Sequence, residues 1–172
     1  PVAPFEKLSD LYPNDKFKLF APMTAKKMNK KIENIFLEGK AKGYDFITYI
    51  STKATVCGNK IGENCFILED NTIQPFTTIG NNVVLWSGNH IGHHGKIEDH
   101  VFFTSHVVMS GHCHIKSHSF FGVNSTLRDN LVIDQGTLIA MGSSVTKNTD
   151  KWGVYVGNPA KKIENKVSHE IY

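Results

Sequence analysis

The chain has 172 residues, 40% of them hydrophobic and 20% charged, with a formal net charge of +3. That length allows one domain, or a small domain plus a solenoid. The thinly spread positive charge excludes the basic stripe of a nucleic-acid binder, and no apolar run approaches the length of a membrane span or signal sequence, so a soluble, cytoplasmic protein with no membrane partner is expected. The three cysteines, Cys57, Cys65 and Cys113, are odd in number and form no CxxC pair, so reduced thiols are expected, those at 65 and 113 being buried.

Residues 1–53 carry no repeat. A short helix is predicted around Phe5–Leu11, then a strand over Lys16–Phe20 that stops before Pro22. A helix is predicted from Met23 to Lys42, with Ile32, Ile35 and Phe36 as an apolar stripe, a lysine-rich solvated face, a weak point at Gly39 and a stop at Gly43. Tyr44–Ile50 reads as a strand. The order strand–helix–strand predicts a small α/β element in front of the rest.

From Ile61 to Val145 an apolar residue recurs at every sixth position, fifteen times without a break. At this hydrophobic content such a run has a chance of about one in a million, and a six-residue period is the signature of stacked parallel β-coils. Two positions before each anchor the residues are mostly small, as a narrow interior requires. Three positions after each anchor stand Asn64, Asp70, Asn82, Gly88, His94, His100, His106, His112, His118, Asn124, Asn130, Gly136, Gly142 and Asn148, with Phe76 the one exception. These are residue types that tolerate positive φ, so each hexad is a short strand and a corner. Three hexads make an 18-residue triangular coil, giving about five coils and a prism ~24 Å long. Outward aromatics such as Trp86 point to self-association.

Eight of nine histidines lie between 90 and 118. Corner geometry accounts for His94, His100, His106, His112 and His118, but not for His90, His93 or His114. Eighteen residues on, His93 stacks near Gly111. A histidine beside a glycine leaves open space and an exposed backbone N–H, which together offer a base and an oxyanion donor for acyl transfer. His90 and His94 are the neighbouring alternatives for the base, and otherwise substrate-binding residues.

The Ile-Gly-x4 repeats, the "GSSVTKNT" at 142–149 and the "GNPAKKI" at 157–163 resemble the hexapeptide-repeat acyltransferases. "PVAPFEKL", "KKMNKKI" and "KAKGYDFITYISTKATV" resemble, in particular, the sugar acetyltransferases typified by sialic acid O-acetyltransferase and UDP-4-amino-sugar N-acetyltransferase. The resemblance implies a mainly β fold: a left-handed parallel β-helix at 54–150, a partial α/β nucleotide-sugar domain at 1–53 and a tail at 151–172. The opening strand and Gly-rich loop of that family's N-terminal domain have no counterpart in this sequence. The segment "IGHHGKIEDHV" aligns with the one that carries the family's general-base histidine, and His93 falls on it. Gly92 stands where the family often has an orienting carboxylate, which leaves Glu98 and Asp99, of this or a neighbouring subunit, as candidates. The resemblance further implies a homotrimer with acetyl-CoA as co-substrate between prisms, beside Gly111, Val123, Asn124, Met141 and Gly142. Pro159, Lys161 and Lys162 would border its adenine and phosphates. The acceptor would be the amine, less favourably a hydroxyl, of a nucleotide-linked sugar, in surface polysaccharide or glycan synthesis. No covalent intermediate and no metal are expected. The alternative is a zinc site of the γ-carbonic anhydrase type on a trimeric β-helix, with His94 and His112 one coil apart and His118 as a third ligand.

Overall fold

In the computed structural model, which describes residues 2, 4–22 and 25–171, the chain is a left-handed parallel β-helix of about six turns. Its strands form three faces. The first stacks Tyr49–Ile50, Phe66–Ile67, Val84–Leu85, Phe102–Phe103, Phe120–Phe121, Leu138–Ile139 and Val154–Val156. The second stacks Thr55–Val56, Thr72–Ile73, His90–Ile91, Val108–Met109, Thr126–Leu127 and Ser144–Val145, and the third Thr78–Ile79, Lys96–Ile97, His114–Ile115 and Val132–Ile133. In the central coils the register between neighbours is 18 residues, as for His90 against Val108 and His114 against Val132. Strands of the stack run from Tyr49 to Val156, beyond 54–150 at both ends.

The hexad anchors from Ile67 to Val145 are all buried in one continuous core, and Cys65 and Cys113 are free thiols inside it while Cys57 is exposed. The corner slots also behave as composition dictates. From Asn64 to Gly142 every one has positive φ, Phe76 included. Phe76 has φ +65°, a conformation that costs a residue with a bulky side chain about 1–2 kcal/mol. Asn148 is the corner that fails: it is not among the positive-φ residues, and its Oδ1 accepts a hydrogen bond from the Val132 N–H (2.9 Å), because the chain leaves the coil there.

The N-terminal part departs from its sequence reading. The short helix is present, as a 3-10 turn Phe5–Lys7 followed by Leu8–Leu11. The expected strands Lys16–Phe20 and Tyr44–Ile50 reduce to one parallel bridge, Leu19 to Phe46, and Tyr49–Ile50 instead joins the first face beside Phe66–Ile67. Of the expected helix, residues 23 and 24 lie outside the described residues, and the helix proper is Lys30–Ala41. Lys27, Met28 and Asn29 all have positive φ. Tertiary contacts override helix propensity here: the turn drops Met28 fully into the core and lets Asn29 Nδ2 donate to the His100 carbonyl (2.6 Å). Gly39 is a point of close approach, since a Cβ there would stand 2.5 Å from the Phe46 ring.

Ala25 and Met28 pack on the outer side of the first face, against Val84, Phe102, Phe120, Leu138 and Val154. Both sides of those strands are therefore apolar and buried, as in "FF" at 102–103 and 120–121. The second and third faces keep polar outer residues such as Thr72, His90, Lys96 and His114. The corner between them, at residues 76, 93–94, 111–112 and 129–130, stays open to solvent.

Candidate active site

On that corner the stack brings His93, His94, Gly111 and His112 together. The His93 ring lies over Gly111: a Cβ on Gly111 would meet its Cε1 at 2.7 Å and its Nε2 at 3.0 Å. The Gly111 carbonyl accepts from the Asn130 N–H (3.0 Å), while its own N–H donates to nothing among the described residues. Such a free N–H recurs at the first residue of many corners, so it is not distinctive by itself. What distinguishes this corner is that both flanking side chains are missing. A Cβ on Gly92 would stand 2.7 Å from the Gly111 nitrogen and 2.6 Å from the Ser110 carbonyl carbon. Gly92 thus has no room for a carboxylate, and the two glycines together leave an imidazole and an unpaired amide donor side by side.

The carboxylates expected to orient His93 do other work. Glu98 Oε1 is 2.7 Å from His114 Nε2 and its Oε2 accepts from the Ser117 N–H (3.2 Å). Burial opposes ionisation of Glu98, but His114 and the Ser117 amide outweigh it and hold the carboxyl below its usual range. Asp99 Oδ1 accepts from the Asn81 N–H (2.7 Å). His93 Nδ1 instead faces His94 Nδ1 at 3.0 Å. Two neutral imidazoles in that contact must have one donor and one acceptor. If His93 donates, its Nε2 carries a lone pair toward solvent, the form a base requires. Sequence reasoning counted His94 as a corner residue, and as an alternative base or substrate-binding residue, without pairing it with His93; adjacency at 93–94 was the available signal.

His94 and His112 stack with ring centroids 5.0 Å apart, and His93, His94 and His112 offer ligand atoms within 4.8 Å of one another. The three-histidine set His94, His112 and His118 does not converge. His118 is on the next corner, between the third and first faces, because the corner slot advances one edge every six residues. There it meets His100 and Glu33 of the helix. The direction of hydrogen bonding into that cluster is fixed. The Ala21 N–H can only donate, to Asn64 Oδ1 (2.8 Å); Asn64 Nδ2 then donates to Asn82 Oδ1 (2.7 Å), and Asn82 Nδ2 to His100 Nδ1 (2.9 Å). The proton of neutral His100 is therefore on Nε2, facing Glu33 Oε1 at 3.7 Å, where it occupies the position a metal would need. His118 Nε2 is 3.2 Å from Glu33 Oε2, though misaligned for a hydrogen bond. This buried group is a polar dock between helix and β-helix.

His90 lies half-buried on the second face, between Thr72 and Val108. Val123, Asn124, Met141 and Gly142 are exposed along the corner between the first and second faces. One chain does not bring them to His93: the whole width of the second face intervenes. Pro159 and Lys161 line a cavity of about 440 Å³ with Thr146 and Lys147. Lys162 in the same cavity is held by Asp150 (2.9 Å), which leaves Lys161 as the cation of that segment without an acidic partner among the described residues.

The bacterial transferase hexapeptide family (six repeats) matches residues 60–93. Among solved structures, a variant of perosamine N-acetyltransferase from Caulobacter crescentus in complex with CoA and GDP-perosamine superimposes with a TM-score of 0.87 at 17% identity, over 94% of this chain and 76% of that one. It has the fold of the hexapeptide-repeat sugar N-acetyltransferases. The same β-helix is found in the acetyltransferase domain of PglB from Neisseria gonorrhoeae FA1090 in complex with acetyl coenzyme A (TM-score 0.86, 20% identity, 95% and 78% covered). WeeI from Acinetobacter baumannii AYE shares it as well (0.76, 22%, 80% and 68%). No helix among the described residues of this hexapeptide-repeat β-helix is long and apolar enough to cross a membrane.

Proposed function

We propose that the chain is an acetyl-CoA-dependent N-acetyltransferase acting on the amino group of a nucleotide-linked sugar. The observation that carries this reading is the His93 ring over Gly111, an imidazole beside an unpaired amide, on the open corner of a fold whose solved examples hold CoA or GDP-perosamine. In the reaction the acceptor nitrogen attacks the thioester carbon and its proton passes to His93 Nε2. The tetrahedral oxyanion rests on the Gly111 N–H, the C–S bond breaks, and CoA leaves as the thiolate. Two groups that meet directly need no covalent enzyme intermediate. His94 is a positioning residue that holds the His93 tautomer. Acetyl-CoA is assigned to the exposed corner of Val123, Asn124, Met141 and Gly142, with Lys161 near its phosphates. Their separation from His93 within one chain supports an intersubunit site, as in a homotrimer whose prisms lie side by side, with residues 1–53 contributing to the nucleotide-sugar side. A cytoplasmic location follows from the nature of these substrates.

The test is thiol release from acetyl-CoA with GDP-perosamine and with UDP- and dTDP-linked 4-amino sugars. Turnover with one of them is expected; stoichiometric zinc that survives dialysis, with no turnover on any sugar, would overturn the reading. The Gly111→Ala variant gives a sharper check. Its Cβ displaces His93 by a substantial fraction of an ångström, and misplacement on that scale costs roughly 10–100-fold in rate. A loss of that size in kcat, with the melting temperature within a few degrees of wild type, is the expected outcome.

A further inference from the structure

Phe76 is the one bulky side chain in a corner slot, held at φ +65° where every other slot from 64 to 142 has Gly, Asn, Asp or His. A strained aromatic in a repeat that elsewhere avoids the strain calls for a reason beyond folding. Burial does not supply it, since the side chain is 74% exposed. One face of the ring packs on His94, centroids 4.7 Å apart and planes at 37°. The turn one coil earlier ends on Gly58, where a Cβ would meet nothing within 4 Å. The aromatic column Phe76–His94–His112 therefore stops one place short, and the vacant place is a cavity of about 290 Å³ lined by Gly58, Phe76, Pro75 and Lys60. Lys60 is exposed and pairs with no carboxylate among the described residues.

We propose that the open face of Phe76 is the platform on which a planar nucleobase stacks, continuing the column, with Lys60 placed for the attached phosphates. The inference rests on the acetyltransferase reading for the source of that base. The platform is about two coil spacings, ~10 Å, from His93. The chain of bonds from a hexose amino group through a diphosphate to the nucleobase is long enough to span this distance with the linker bent, so the acceptor's nucleotide fits with its sugar at His93. Every nucleobase has a face to stack, which makes ring area rather than hydrogen bonding the source of affinity here.

The experiment is calorimetric titration of GDP, UDP, dTDP and CoA into wild type, Phe76→Asn and Phe76→Tyr. Asn suits the slot, as Asn64, Asn82, Asn124 and Asn130 show, so F76N is expected to melt at or above the wild-type temperature. Base–aromatic stacking predicts that at least one nucleoside diphosphate binds about tenfold or more weakly to F76N, while F76Y retains wild-type affinity. Loss of CoA affinity instead would assign the platform to the adenine of the co-substrate. Unchanged affinity for all four ligands, or a lowered melting temperature or smaller assembly in F76N, would overturn the proposal. Because binding is read without turnover, the two readings fail separately. A wild type that transfers acetyl but whose nucleotide affinity ignores F76N loses only the platform. One that binds nucleotides through Phe76 but transfers nothing loses only the transferase.

Discussion

Replacing His93 by Asn is expected to lower kcat by two to four orders of magnitude while the affinity for CoA stays within a few-fold of wild type. That range is what a positioned general base contributes. Asn keeps a hydrogen-bonding group near His94 and fits the space over Gly111, so the loss reports the missing proton acceptor rather than a collapsed corner. The residual rate would come from the Gly111 amide and from holding the two substrates together, neither of which the substitution removes. Steady-state thiol release beside a direct measurement of CoA binding checks this. Turnover within tenfold of wild type would move the base to His90 or His94. His94→Asn separates those two further: as a positioning residue it should reduce kcat by a smaller factor than H93N, and the double variant should add little, because both act on the same proton.

A second large effect is expected in acid. Burial, and after it the neighbouring His118, push the His100 imidazole down to about 4. Burial, then Lys30, also lowers His118. Glu33 feels a burial penalty too, but the hydrogen bond from Lys30 and the charge of His118 bring its carboxyl below its usual value. All three shifts act in one direction. A histidine that stays neutral in the fold but takes a proton when unfolded contributes stability that is complete above the unfolded value of 6.5 and is lost as pH falls toward the folded value of about 4. For His100, 8% exposed, the loss across that window is about 3 kcal/mol. Glu33 adds its part lower down. Denaturant unfolding at pH 7.5, 6, 5 and 4 should therefore show a steep decline below pH 6.5. In a His100→Asn variant, which keeps the left-handed corner, the slope between 6.5 and 4 should flatten; an unchanged slope would remove His100 as its source.

The β-helix was legible in the sequence because each of its requirements falls on one residue at a fixed spacing. An anchor such as Ile91 must be apolar, and a corner such as Asn124 must accept positive φ. Neither depends on anything distant. The stacking of His93 on Gly111 followed from the same period. The N-terminal part was less legible for the opposite reason. Whether residues 26–29 form a helical turn is decided by a pocket on the first face that Met28 fills and by the His100 carbonyl that Asn29 reaches, and those partners are some 70 residues away. The pairing of Glu98 with His114 was hidden because it runs across stacked strands and off their register, in which His114 stands opposite Lys96. Phe76 was visible as an exception to the corner rule, but its open face depends on the turn before it ending on Gly58.

The C-terminal hairpin has a consequence for association. A stack of parallel strands ends in a row of unpaired amide and carbonyl groups, the same template that lets fibrils grow by adding chains end to end. Here Val154–Val156 does not face the next coil of another molecule, because Lys161–Lys162 folds back on it antiparallel, Tyr155 opposite Lys162 and Val156 opposite Lys161. Reversed strand direction and two adjacent lysines both work against another parallel strand joining at that edge. The short segment "GNPAKKI" thereby closes the open edge of the first face, and a copy adding end to end would meet a reversed strand there instead of a matching coil.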